Sequence, residues 1–213
     1  MELSRATIAT SAPTPVPMFR FSTEDFPARE RLDAWREVFG RTVVSLDIDP
    51  PDPDGFKSEA TICRLPGLGV LFAASAAVSL RHSRELIVDD DLSFMAAPSC
   101  KWAASQLGRN PMLDPGQGIL MTNGEVGSMA LAADSHFITF RVPQAAIAPL
   151  VPDLGAAIAR PIPSDNPALR LLVAFLEISR DTEALATPEL QRLAATHVHD
   201  LLAVALGATR EAG

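Results

Sequence analysis

The stretch LSFMAAPSCKWAASQLGRNPMLDPGQGILMTNGEVGSMALAADSHFITFRV, residues 92–142, decides the fold. Short apolar runs (LSFMAA, CKWAASQ, GILMTN, GSMALAA, HFITFRV) are divided by turn residues at 108–110 and by the Pro-Gly pair of PMLDPGQ. That spacing belongs to short strands in a sandwich or barrel. Toward the N-terminus the pattern continues. TVVSLDI (42–48) is followed by the turn PPDPDG, then FKSEATICRL, the turn PGLG, LGVLFAASA, AVSLRHSRELIV and the acidic turn at 89–91. Residues 41–142 thus predict eight or nine short strands. No helical period of useful length interrupts them, which argues against a parallel βαβ sheet.

The flanks read differently. Residues 1–17 are rich in Ser, Thr, Ala and Pro, with Pro13, Pro15 and Pro17 alternating, and predict a disordered leader. PARERLDAWREVFG (27–40) places Leu32, Trp35, Val38 and Phe39 at helical spacing, with Gly40 as the expected stop. Beyond Pro143 the chain turns helical. A short helix is broken by Pro149 and Pro152. A second is capped by Asp165 or Asn166 ahead of Pro167 and runs to about Arg180. A third is capped by Thr187, with Pro188 at its first position. The organisation expected is a leader (1–17), a helix plus β-barrel (18–142) and a C-terminal helical part (143–213).

Composition removes several function classes. Lys and Arg number 18 against 26 Asp and Glu, a net charge of −8. That sign opposes unaided nucleic-acid binding and anchoring on an anionic membrane. The longest apolar run, 68–80, is too short to span a bilayer. Two cysteines, Cys63 and Cys100, form no framework and suit a reducing, cytoplasmic setting. His197 and His199 are two apart on a helix, about 200° around its axis, so they do not grip one ion. His82 and His136 lack partners at a ligand spacing, and there is no phosphate loop or nucleophile elbow. The expectation is therefore no catalytic residue, no metal and no cofactor.

The order FSTEDFPARERLDAWREVFGRTVVSLDI, GRNPMLDPGQGILM, FRVPQAAIAPLVPDL, PALRLLVAFL, PELQRLAATHVHDLLAVALGATRE resembles the N-terminal domain of AraC-type transcription regulators, in particular the AraC-binding-like subgroup, over residues 19–210. The resemblance implies a mainly β fold, a cupin-like double-stranded β-helix (jelly-roll) barrel holding a small effector, followed by helices that form a homodimer. In that family two helix-turn-helix units follow. This sequence ends at Gly213 where they would begin, so DNA is expected to be reached only through a domain absent from the chain. Two departures stand out: Gln117 where relatives often carry Asp, and Pro98 between two strands.

Strands rich in alanine leave room inside a small barrel. Phe72, Phe94, Trp102 and Met121 are the expected wall, with Trp102 able to stack and donate one N–H, and Arg81 or Arg84 able to pair a carboxylate. On the last helix Leu190, Leu193, His197, Leu201 and Val204 form the expected dimerisation row. His197 there would weaken association as pH falls. The leader is the candidate for an arm that moves with the ligand. The alternative readings are a cupin-fold enzyme, isomerase- or dioxygenase-like, and a plain dimerisation module with a filled barrel.

Overall fold

Pro66 and Gly67 join β3 (Ser58–Leu65) to β4 (Leu68–Ser75) by a two-residue hairpin, with Leu65 paired to Leu68. Gly67 sits at φ +72°, a conformation that a side chain resists. The computed structural model describes residues 18–132, 135–180, 185 and 187–208; the leader expected over 1–17 lies outside them. Before β3 come β1 (Met18–Ser22), α1 (Ala28–Thr42) and β2 (Asp47–Asp49). After β4 follow β5 (Val78–His82), β6 (Leu92–Ala96), β7 (Trp102–Gln106), β8 (Met112–Leu113), β9 (Gly118–Thr122), β10 (Gly127–Leu131) and β11 (Ser135–Val142). The helical part holds α2 (Gln144–Ile147), α3 (Leu154–Ala157), the short β12 (Pro161–Ile162), α4 (Pro167–Ile178) and α5 (Pro188–Ala205).

The strands form two antiparallel sheets, ordered β1-β3-β4-β11-β6-β9-β12 and β2-β5-β10-β7-β8. From β4 to β11 nearly every connection crosses from one sheet to the other, which is the winding of a jelly-roll barrel. The fold is mainly β with C-terminal helices, as the sequence predicts.

The middle of the seven-stranded sheet is covered on both faces, and this explains its sequence. Its β6 and β9 are buried at every position. Inward, Leu71, Ala73, Met95, Ile119, Met121 and Phe137 join the barrel interior. Outward, Val70, Phe72, Phe94, Leu120, Ile138 and Phe140 lie under α4 and α5. The five-stranded sheet has one solvated face, so β5 alternates buried and exposed residues. The helical part therefore shares a core with the barrel's larger sheet.

Several local expectations change. α1 does not stop at Gly40 but runs to Thr42, with the Val43 N–H donating to Phe39 O. Gly40 serves a close approach instead: a Cβ there would lie 3.2 Å from Ser45 Oγ, where the chain folds back. TVVSLDI supplies only the short β2, because Val43, Val44 and Leu46 turn into the barrel mouth. β1 and β12, at opposite edges of the large sheet, have no clear signal in the sequence. The caps Asn166 and Thr187 are as read. The Asn166 side chain accepts from Ala168 and Leu169 N–H, and Thr187 from Leu190 N–H. Asn166 Nδ2 also donates to Ala205 O at 3.2 Å, tying the start of α4 to the end of α5.

The turn between β7 and β8 is centred one residue earlier than predicted. Leu107 (φ +53°) and Gly108 (φ +72°) form it, bridged by Gln106 and Arg109. Two successive positive φ values suit Asn-Gly, and Leu pays a steric penalty at the first. Leu107 is half-exposed. Leu107→Asn is expected to raise unfolding stability by about 0.5–1 kcal/mol in a urea titration; an unchanged or lower midpoint would contradict this.

Candidate functional site

A cavity of about 30 Å³ lies between the two sheets, room for about two water molecules. Phe39 of α1 and the following Val43, Val44 and Leu46 line one side of it. Met95 and Met121 project from β6 and β9, Met129 from β10. The hollow expected from the alanine-rich strands is thus mostly filled. Trp35 and Phe39 join the interior from α1, and Trp102 and Phe137 from the strands. Methionine is the most adaptable of these fillers, being unbranched with three rotatable bonds. Gly127 gives one of them its place: a Cβ there would lie 2.8 Å from Met121 Cε.

The cavity also has a polar side. Gln106, almost fully buried, donates from Nε2 to the carbonyls of Thr122 (2.8 Å) and Glu125 (3.1 Å), and its Oε1 accepts from Thr122 N–H. It thereby ties β7 to the β9–β10 connection. Both ring nitrogens of His82 face carbonyl oxygens at 2.9 Å, Ser45 O from Nδ1 and Asn123 O from Nε2. A neutral imidazole has one N–H for these two acceptors, an imidazolium two. Ser93 Oγ donates to Asn123 Oδ1 at 2.7 Å, while buried Asn123 Nδ2 has no partner. Such an orphaned donor is uncommon in a protein interior. Among the described residues, no Asp, Glu, Lys or Arg side chain lines the cavity.

The structure does not bring the five expected ligand residues together. Met121 lines the cavity, and Trp102 is buried in the same interior with Nε1 unpartnered. Phe94 lies on the opposite face of its sheet, stacked on Phe140 at 4.9 Å. Phe72 is on that face too, with the Arg180 guanidinium 5.0 Å over its ring. Their neighbours Met95, Leu71 and Ala73 point inward instead, one residue of strand parity away. Arg81 is exposed on the outer face of the small sheet, 3.8 Å from an Asp47 carboxylate oxygen, and Arg84 is exposed in a short turn. Ser93, Gln106 and Asn123 were missed. In the sequence Asn123 only ends the predicted strand GILMTN, and Ser93 sits unremarked between two large apolar residues. Ser93 shares strand parity with Met95, but LSFMA is buried on both faces and its sequence does not show which parity looks inward.

α5 has two distinct faces. Ala194, Val198, Leu202 and Ala205 are buried toward the sheet. On the outside Leu190, Leu193 and Val204 are 42–50% exposed, His197 is exposed and Leu201 is half-buried. Leu171 and Ile178 of the adjoining α4 are exposed as well. His197 meets Phe175 edge-on at 5.9 Å. Cys63 is packing: burial pushes its thiol up to about 11. Among the described residues no three His, Cys, Asp or Glu form a group able to hold a metal ion. No helix among them is long and apolar enough to cross a membrane.

His199 carries a pH dependence. Burial disfavours its imidazolium and lowers its pKa from the ordinary value, with Asp200 opposing. A histidine depressed in the fold contributes stability in full above its unfolded pKa near 6.5. That stability is lost as pH falls below this value and through the folded one. Urea midpoints are expected to drop from pH 7 to pH 5, and to drop less in His199→Gln; equal drops in both proteins would contradict the assignment.

A family model described as the AraC-binding-like domain matches residues 35–207. Among solved structures, the AraC-like transcriptional activator CuxR superposes with a TM-score of 0.73 at 21% identity, over 92% of this chain and 72% of that one. That likeness shows the fold. The cupin domain of an XRE-family transcriptional regulator from Enterobacter cloacae gives a TM-score of 0.32 at 10% identity, over 46% of this chain and 95% of that one. Ectoine synthase from P. lautus gives 0.34 at 9% identity, over 40% and 64%. No curated protein matches.

Proposed function

We propose, from the premise that the chain belongs to the AraC-binding-like domain family, that it is the small-molecule-sensing and dimerisation module of a transcription regulator. The effector enters the barrel interior at the methionine-lined cavity. Two copies join through the outer faces of α4 and α5. The barrel (18–142) and the helical part (143–213) act as sensing and pairing halves in a cytoplasmic protein.

One observation supports this most: β6 and β9 touch both halves. Ser93, Met95, Ile119 and Met121 face the cavity, while the intervening Phe94 and Leu120 lie under the helices. A guest that moves Met121 or Met95 presses on strands whose other side seats α4 and α5. Allostery needs such an element, with the ligand favouring one of its arrangements over another. In this reading DNA contact falls to a separate domain, since a net charge of −8 opposes unaided binding to phosphates. The family match favours a regulator over the cupin-fold enzyme.

Native mass spectrometry of freshly purified protein tests the reading. The expected spectrum is a dimer, with a retained small molecule or a dimer fraction that shifts when one is supplied. A monomer that takes up nothing from a library of small organic compounds would contradict it.

A further inference from the structure

We infer that the barrel takes an uncharged, mainly apolar small molecule bearing one hydrogen-bond acceptor, a carbonyl or ether oxygen, which accepts from Asn123 Nδ2. The inference rests on the sensing reading above and adds the chemistry of the guest.

Three observations carry it. First, the cavity wall offers no opposite charge. No Asp, Glu, Lys or Arg side chain lines it among the described residues, and both His82 nitrogens are already set against backbone carbonyls. A charged guest would lose its hydration without a counter-ion, a cost that excludes it. Second, most of the wall is apolar and yielding, with Met95, Met121 and Met129 facing Phe39 and Ile119. The present volume is about 30 Å³, so a guest larger than about two waters needs these side chains to change rotamer, which methionine does at low cost. Third, among the described residues that line the cavity, Asn123 Nδ2 is the buried side-chain polar atom left without a partner. Gln106 uses both ends of its amide, and Thr139 Oγ1 donates to Phe94 O at 2.7 Å. Asn123 is held by its neighbours on every group but one. Its N–H donates to Asp91 O, its O faces His82, its Oδ1 accepts from Ser93, and Nδ2 is left over. A fixed, buried, unpartnered donor on a residue that lines a mainly apolar cavity selects for an acceptor. A guest lacking one leaves the donor unsatisfied, and that mismatch is what discriminates.

The test uses the full chain labelled at its methionine methyls, with three probes of one shape: cyclopentanone, methylenecyclopentane and cyclopentanecarboxylate. Met112, exposed on the outer surface, is the internal reference. The ketone is expected to shift the Met95, Met121 and Met129 methyls with a Kd about tenfold below that of the alkene, the worth of one hydrogen bond. The carboxylate is expected to leave them unmoved. In Asn123→Ala, and in Ser93→Ala/Asn123→Leu, which removes both polar partners together, the ketone and alkene should bind alike. Equal binding of the two in the unaltered chain, a ketone preference that survives both variants, or binding of the carboxylate overturns the inference while leaving the barrel as the site. If none of the three probes moves the interior methyls, the sensing reading fails with it.

Discussion

Leu193→Asp is expected to leave the chain monomeric under conditions where the unaltered protein is a dimer. Leu193 is 50% exposed on the outer face of α5, in a row with Leu190 and Val204. Leu171 and Ile178 extend the apolar surface onto α4. The antiparallel packing of the two helices sets Leu171 toward the Val204 end and Ile178 toward the Leu190 end, given the Asn166–Ala205 hydrogen bond. A carboxylate buried in the middle of such a surface, with no cation to meet it, weakens association by about 2–4 kcal/mol, roughly 30- to 1,000-fold in Kd. The fold itself should hardly notice, because substitutions at a half-exposed position away from caps and buried pairs stay within about 0.5 kcal/mol. Association and folding are therefore separable: light scattering reports the first, urea titration the second. A variant that scatters as a dimer with an unchanged dissociation constant would show that this face is not the contact. His197 belongs to the same row but is exposed and leans on Phe175, so its influence on association arises only where a second copy buries it.

Phe39→Ala should cost the fold about 3–5 kcal/mol, the usual toll for removing a buried aromatic ring. Phe39 is 1% exposed, packs at 6.0 Å from the Trp35 ring, and lines the cavity between the sheets. Its loss enlarges a space that already exists, and the sheets, paired strand to strand, relax only partly around it. Trp35→Ala should cost a similar amount, since Trp35 is equally buried in the same cluster. Only the Phe39 change, however, adds volume to the cavity itself. Benzene is therefore expected to raise the melting temperature of Phe39→Ala more than that of Trp35→Ala. An equal response in the two variants, or a loss under about 1 kcal/mol for Phe39→Ala, would show that α1 does not plug the barrel.

The strand positions were legible because the turns are chemically explicit. Pro66-Gly67 and Pro115-Gly116 mark two connections, and most of the eight or nine predicted strands lie close to where the turn signals put them. Strand faces were not legible in the larger sheet. β5, with one face in water, writes its alternation plainly as VSLRH. LSFMA and GILMT, buried on both faces, carry no such alternation, so nothing in them says whether Phe94 or Met95 looks inward. The same ambiguity in β4 and β6 is why Phe72 and Phe94, expected to line the interior, lie instead on the face toward the helices. The interior polar set was hidden for a related reason. Asn123 precedes a glycine, the signature of an exposed turn, and only the fold reveals that the turn closes over the barrel. The helices were easier, since Asn166-Pro167 and Thr187-Pro188 combine a cap with a preferred first residue. Even the two faces of α5 follow from spacing alone. The filled interior is a tertiary effect: alanines in the strands made room that Trp35 and Phe39, from a helix far away in sequence, occupy.

The account stands on an interior that is closed at rest yet yields to an uncharged guest. Xenon-pressurised crystals of the unaltered chain test this most directly, because xenon needs only apolar space and no particular recognition. A xenon peak between Met95, Met121 and Phe39, with those side chains displaced, is the result expected. Xenon found only between the large sheet and the helices α4 and α5, or nowhere in the molecule, would contradict it.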